Sequence, residues 1–300
     1  MQVNRLAELM DILAVDEGLT ASAIPGLIFS RVTKPMPRTP KIYEPSIMIV
    51  GQGRKREYLG DEVYTYDAGS YLVLSVPLPV ECETPEASPG KPTLAMSIPV
   101  TPAALSELVT EMSAETEQNR AVPRGMYSSR LDREIMDAAI RLLECLQSPM
   151  DSRILGPQIV REIIYRVLCG EKGAVLRALA NRHGCFSQIA RVLKRIHQEY
   201  AKTLDIKTLA QEANMSVSTF HHNFKAVTAA TPLQYLKNIR LHKARMLMVR
   251  DGQNASTAAS MVGYESASQF SREFKRLFKN SPSDEAARLR VMGVGESTGK

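Results

Sequence analysis

Two short stretches concentrate side chains that can donate hydrogen bonds to an acceptor-rich surface. One holds Ser218, Thr219, His221, His222 and Lys225; the other holds Ser268, Gln269, Arg272, Lys275 and Arg276. An arginine fork fits O6 and N7 of guanine, glutamine fits adenine, serine and threonine serve either base edge, and lysine suits phosphate. The two stretches are copies of one unit. SVSTFHHNFKAVTAATP, Ser216 to Pro232, recurs without gaps as SASQFSREFKRLFKNSP, Ser266 to Pro282. Ser216 then matches Ser266, Phe220 matches Phe270, Phe224 matches Phe274, Lys225 matches Lys275 and Pro232 matches Pro282.

Each copy reads as a helix entered by a turn. Ser216 and Ser266 are placed to cap it, and the two Phe lie four apart on one face, leaving the donors on the other. A short apolar helix precedes each, LAQEANM or AASMVGYE. Helix, tight turn and donor-bearing second helix make a helix-turn-helix, expected at about 206–228 and 255–278. Between them LQYLKNIRLHKARMLMV predicts the longest helix of this half, with Leu236, Ile239, Ala244 and Leu247 to pack on both units. It also carries Lys237, Arg240, Lys243 and Arg245, and His242 is expected at its surface or at an interface. Such a spacer could set two recognition helices about 34 Å apart, one turn of duplex DNA.

The chain has 300 residues and a formal net charge of +6, unevenly distributed. Residues 181–290 hold 18 Lys and Arg against 8 Asp and Glu, whereas residues 1–180 hold 19 against 23. The basic charge therefore accompanies the repeated units, the footprint of a polyanion-binding domain. The first twenty residues contain acidic side chains and no uninterrupted apolar run, so neither a signal nor a transit peptide is expected, and no run reaches the length of a membrane span. Cys82, Cys145, Cys169 and Cys185 lack paired spacing. Reduced, buried, structural thiols in a cytoplasmic protein are the expectation for all four.

The first half reads differently. Val3, Leu6, Leu9, Met10 and Leu13 predict an amphipathic helix over 3–15. From Gly26 to Pro99 short runs follow (GLIFSRV, SIMIV, REYLG, EVYTY, SYLVLSV, LAMSI), broken by GQG, GD, DAG, PLP and ASPGKP. This is the pattern of an antiparallel sandwich or barrel, an architecture that often encloses a ligand. All five histidines (His183, His197, His221, His222, His242) lie beyond these strands, so a His-rich metal centre is excluded there. Glu44, Asp61, Glu62, Asp67, Glu81 and Glu83 are scattered and are expected in solvent-facing turns. No nucleophile elbow, HExxH helix or P-loop occurs; GQGR at Gly51 reads as a hairpin turn, and Arg54, Lys55 and Arg56 as charges in water rather than an anion cradle. Helices are expected over 101–118, over Leu131–Leu146, and from Pro157 to Cys169 ended by Gly170, with surface left for a second subunit. Asn181 to Cys185 reads as a linker, Phe186 to Ala201 as a scaffold helix with Asp205 capping the next, and 291–300 as a disordered tail.

These residues carry a resemblance. The second half, through LAQEANMSVSTFHHNFKAVTAATPLQYLKNIRLHKARMLM and AASMVGYESASQFSREFKRLFKNSP, resembles the DNA-binding domain of the AraC/XylS family of bacterial transcription regulators. The first half is similar to the N-terminal domain of one subgroup, through IYEPSIMIVGQGRKREYLGDEVYTYDAGSYLVLSVPLPVEC, ASPGKPTLAMSI and REIIYRVLCGEKGAVLRAL. The resemblance implies an α+β multidomain chain. A cupin-like antiparallel β-barrel with packed helices (1–180) senses an effector or dimerises, and a linker (181–185) joins it to an all-α DNA-binding domain (186–290). It also implies Ser218, His221, His222, Ser268, Gln269 and Arg272 toward bases. At His222 the subgroup often has a basic residue, so the grip there is expected to be weaker and pH-dependent.

The sequence thus predicts a cytoplasmic, sequence-specific DNA-binding transcription regulator, not an enzyme, that needs no cofactor and no metal. Its expected partners are double-stranded promoter DNA, RNA polymerase, a small-molecule effector and a second copy of itself, with no membrane. The expected DNA-binding residues are Ser216, Ser218, Thr219, His221, His222, Lys225, Ser266, Ser268, Gln269, Arg272, Lys275 and Arg276. The alternative is a ligand-binding or enzymatic barrel whose basic helical half docks RNA or protein. The absence of Trp, which leaves stacking poorly supplied, weighs against RNA.

Overall fold

A computed structural model describes residues 2–112, 122–180 and 184–291. Helix α1 (Gln2–Leu13) is followed by nine strands: β1 (Gly18–Ala21), β2 (Ile28–Val32), β3 (Met36–Tyr43), β4 (Ser46–Gln52), β5 (Arg54–Leu59), β6 (Glu62–Asp67), β7 (Ser70–Leu74), β8 (Leu78–Glu86) and β9 (Thr93–Pro99). Then come α2 (Pro102–Glu111), β10 (Met126–Arg130), α3 (Arg133–Cys145), α4 (Pro149–Ile154), α5 (Gly156–Cys169) and α6 (Ala174–Ala180). All pairings are antiparallel, in two sheets ordered β1-β2-β9-β4-β7-β10 and β3-β8-β5-β6.

The six-stranded sheet separates two cores because its strands alternate two apolar faces. Ile47, Ile49, Tyr71, Val73, Leu94 and Met96 face helices and meet Leu6, Leu9, Ala139, Leu142, Ile163 and Val167. Met48, Val50, Leu72, Leu74 and Ala95 face the four-stranded sheet and meet Leu59, Tyr66, Leu78 and Val80.

The remaining helices are α7 (Cys185–Glu199), α8 (Ile206–Glu212), α9 (Val217–Thr228), α10 (Pro232–Arg250), α11 (Ala255–Met261), α12 (Ala267–Phe278) and α13 (Pro282–Val291). Phe186, Ile189, Val192, Phe220, Phe224, Tyr235 and Ile239 join the same cluster as the sandwich interior. A separate core holds Leu241, Ala244, Met248, Val262, Phe270, Phe274 and Phe278. Helix α10 therefore has its first half in one core and its second half in the other.

The structure departs from the sequence expectations in several places. Strands β1, β3, β8 and β10 were not expected. Pro37 and Pro40 disguise β3, which tolerates them as the edge of its sheet; Pro79 and Pro85 disguise β8; and β10 lies where only helices are expected. Short α4 and α6 are also additional. Helix α2 ends at Glu111 with Met112 as its C-cap, and 113–118 of the expected helix fall outside the described residues. So do 181–183 of the expected linker, and Cys185 already begins α7. Of the expected tail, 292–300 lies outside them too.

Cys82 and Cys145 are buried, but Cys169 and Cys185 are exposed, because one ends α5 and the other starts α7. His242 is buried rather than superficial, its ring edge-on to Phe278 at 5.1 Å, since its side of α10 faces the second core. Arg54, Lys55 and Arg56 lie on strand β5, and Lys55 is buried. Glu81 and Glu83 sit on β8, not in turns, and pair across strands with Arg38 and Arg56. Among the described residues no group of three His, Cys, Asp or Glu comes together as metal ligands, and no helix is long and apolar enough to cross a membrane.

Candidate nucleic-acid interface

Both units are assembled from the same caps. Asp205 and Asn254 accept the Thr208 and Thr257 backbone N–H groups at 3.0 and 2.9 Å, starting α8 and α11. Ser216 and Ser266 accept those of Thr219 and Gln269 at 3.2 and 3.3 Å, starting α9 and α12. Each cap satisfies an otherwise orphaned donor, a contribution of about 1 kcal/mol. The turns use left-handed residues, Asn214 (φ 51°) and Gly263 (φ 85°). At Gly263 a β-carbon would sit 2.3 Å from the Ala201 carbonyl oxygen, so the backbone approach itself demands glycine. Asn214 and Gly263 are 49 apart whereas the recognition helices are 50 apart, so the second turn is one residue longer.

Fully buried Phe220 and Phe224 (centroids 5.5 Å apart) anchor α9, and Phe270 and Phe274 (5.4 Å) anchor α12. Each such ring contributes roughly 1.5–3 kcal/mol by burial. With those faces fixed, Ser216, Ser218, Thr219, His222 and Lys225 are exposed on α9 and its cap, and His221 is half-buried with its ring edge-on to Phe220. On α12 Ser268, Gln269, Arg272, Lys275 and Arg276 are exposed, and Ser266 is half-buried. Some of these hydroxyls also serve the caps: Ser216 bonds the Thr219 hydroxyl at 2.8 Å, and Ser266 bonds that of Ser268 at 3.0 Å.

Glu273 is a participant that the sequence reading missed. It lies with Gln269, Arg272 and Arg276 around a surface cleft of about 350 Å³. Its carboxylate accepts Lys237 Nζ at 2.7 Å, Tyr264 Oη at 2.7 Å and Gln269 Nε2 at 3.2 Å. Burial pushes its pKa up, but these three hydrogen bonds outweigh burial and hold it below the ordinary glutamate value. Glu273 thus orients Gln269 and ties α12 to α10; the i, i+4 spacing of Gln269 and Glu273 is the signal that could have found it. Arg240 is likewise internal. Its guanidinium donates to the Tyr200, Gly263 and Lys202 carbonyls at 2.7, 2.9 and 3.0 Å and holds the second turn in place.

Two helix-turn-helix units that expose donors, carried by one long helix and joined to a two-sheet β domain, define a helix-turn-helix protein with an N-terminal β domain. Residues 23–175, just over half of the chain, match the AraC-type transcriptional regulator N-terminus family, and residues 209–288 match a helix-turn-helix domain family. The chain belongs to the AraC-type transcriptional regulators. It is 25% identical over 173 residues to the HTH-type transcriptional activator RhaS of Citrobacter koseri, a match covering 55% of this chain and 61% of RhaS. It is 36% identical over 95 residues to the HTH-type transcriptional regulator AlkR of Acinetobacter baylyi, covering 32% of this chain and 31% of AlkR. The matched region thus spans less than two thirds of either curated relative. In fold it is similar to unsaturated fatty acid-bound ToxT of Vibrio cholerae, with TM-score 0.57, 12% identity, and coverage of 90% of this chain and 97% of ToxT.

Proposed function

We propose that this protein is a sequence-specific transcription regulator that reads two adjacent major-groove segments of promoter DNA with α9 and α12. The observation that carries this reading is the duplication itself: two phenylalanine-anchored helices turn matched donor sets outward on the half of the chain with the positive charge. In this reading His221, His222, Ser218, Ser268, Gln269 and Arg272 face base edges, while Lys225, Lys275 and Arg276 face phosphates. Ser216, Thr219 and Ser266 lie at the helix N-termini, where backbone N–H groups also favour phosphate. Residues 1–180 form the regulatory domain and 186–290 the DNA-binding domain. The regulatory domain takes a small-molecule effector and pairs two copies of the chain, and the bound dimer engages RNA polymerase in the cytoplasm. A likeness in fold to a ToxT structure with a bound unsaturated fatty acid supports a small-molecule effector for this chain.

Selection of random duplex fragments by the full-length chain tests the reading. The expected result is enrichment of a site with two boxes about one helical turn apart. Arg272→Ala is expected to lose about 1–3 kcal/mol and to relax one base pair, whereas Lys275→Ala weakens all sequences alike. Equal losses on selected and random DNA for Arg272→Ala would remove base reading from α12.

A further inference from the structure

The inner face of the four-stranded sheet is not uniformly apolar. Register places Lys41 opposite Val80, Glu57 opposite Cys82 and Lys55 opposite Tyr66, so these residues share the face that looks toward the other sheet. Glu57, Cys82 and Thr84 are 0% exposed, Tyr66 1% and Lys55 6%; Lys41 is half-buried beside them. Tyr66 Oη donates to Glu57 Oε1 at 3.0 Å, but among the described residues Glu57 Oε2 and Thr84 Oγ1 have no partner. Neither lysine ammonium makes a hydrogen bond or a close ion pair among the described residues. Lys55, Glu57 and Arg245 act electrostatically on Lys41, both lysines act on Glu57, and Arg245 is itself paired with Glu285 at 3.6 Å. Across the interior lie the apolar side chains of Met48, Val50, Leu72 and Leu74.

Two cations and one anion at the edge of an apolar interior leave one positive charge without a protein counter-charge among the described residues, a place that favours a bound anion. Burial lowers the pKa of Lys41 and raises those of Glu57 and Cys82. Charge balance calls for one negative charge, which excludes cations and suits a monoanion better than a dianionic phosphate. The free Glu57 oxygen is an acceptor and calls for a hydroxyl beside that charge. The facing wall calls for an alkyl body.

We infer that the interior of the sheet domain binds a short-chain hydroxycarboxylate, its carboxylate between Lys41 and Lys55 and its hydroxyl donating to Glu57. The inference rests on the reading of this domain as an effector sensor and gives that effector a chemistry. Edge strand β3 links the site to the helical half, because the Pro40 carbonyl beside Lys41 accepts Arg245 Nη2 of α10 at 3.2 Å.

Thermal melting of the full-length chain with 3-hydroxybutanoate, 3-hydroxyhexanoate and 3-hydroxyoctanoate tests it, with 3-hydroxyhexanamide and hexanoate as controls. At least one hydroxycarboxylate is expected to raise the melting temperature by about 3 °C or more at saturation, with no shift from the amide and a smaller one from hexanoate. Lys55→Met is expected to abolish the shift while leaving the ligand-free melting temperature equal or higher, since a buried unpaired charge is removed. Glu57→Gln retains the shift but no longer distinguishes 3-hydroxyhexanoate from hexanoate. Absence of any shift in the wild type, an equal shift from the amide, or an undiminished shift in Lys55→Met would overturn the inference. A wild-type chain that selects DNA yet ignores all three acids overturns this inference alone. A chain that binds an acid but selects no DNA leaves the site standing and removes the regulator reading.

Discussion

Ala229 and Lys279 stand fifty residues apart, each just past the end of a recognition helix, and both adopt left-handed backbone, φ 57° and 66°. That conformation costs an L-residue roughly 1 kcal/mol, a cost glycine avoids. Lys279→Gly is therefore expected to stabilise the second unit by up to about 1 kcal/mol, read as a higher urea midpoint; an unchanged or lower midpoint would contradict it. Two histidines act in the opposite sense. His197 Nε2 lies 2.7 Å from Tyr235 Oη, whose one proton goes to the Pro77 carbonyl at 2.7 Å, so the histidine nitrogen must be the donor. Burial, with Lys243 nearby, lowers the His197 pKa to about 4; burial, with Arg245 nearby, puts that of His242 well below its ordinary value. In the unfolded chain both titrate near 6.5. Their contribution is fully present above that value and is lost as the pH falls toward 4, because the unfolded state binds the protons first. Urea denaturation between pH 7 and 5 should show stability falling below 6.5 by up to about 1.4 kcal/mol per pH unit for each histidine. A flat profile would mean that the rings are not neutral and buried.

At the scale of elements, the C-terminus of α9 is held by the other half of the chain. Arg124 Nη1 donates to the Lys225 and Ala226 carbonyls, both at 2.9 Å, while its guanidinium pairs with Glu62 at 2.9 Å, and Gly125 N–H reaches the Val227 carbonyl at 3.0 Å. Arg124→Ala leaves those carbonyls without their cationic cap. The expected loss is about 1 kcal/mol, discounted because the side chain is about one third exposed, with faster amide hydrogen exchange confined to the end of α9. Exchange that is faster everywhere, or nowhere, would remove this role. None of this was legible in the sequence, because Arg124 lies about a hundred residues from its partners in a segment with no periodic signal. The helices of both units were legible, since cap, turn and phenylalanine spacing are all local. The strands were half legible: short continuous apolar runs betrayed β4 and β7, whereas proline hid β3, which lies at the edge of its sheet, and β8, where Pro85 falls at a bulge and Pro79 lies beyond the residues paired with β5. The buried charge on β5 was misread for a related reason. RKR looks like a solvated turn until pairing puts Lys55 inside.

For the whole molecule, the two-part α+β architecture and the family were readable from local motifs, but the way the parts share their interior was not. The first unit has no core of its own: Phe220, Phe224 and Tyr235 belong to the cluster that fills the sandwich. The second unit, from Leu241 onward on α10, packs around its own phenylalanines. This asymmetry makes the two units unequal as parts for reassembly. A foreign second unit grafted near the middle of α10 brings its own core and need match only contacts with the sheet domain such as the hydrogen bond of the largely buried Arg245 to Pro40. A foreign first unit must also repack the sheet domain. Natural recombination and deliberate chimeras should accordingly exchange the second unit far more readily than the first, which under the proposed DNA-reading role would alter one half of the site before the other.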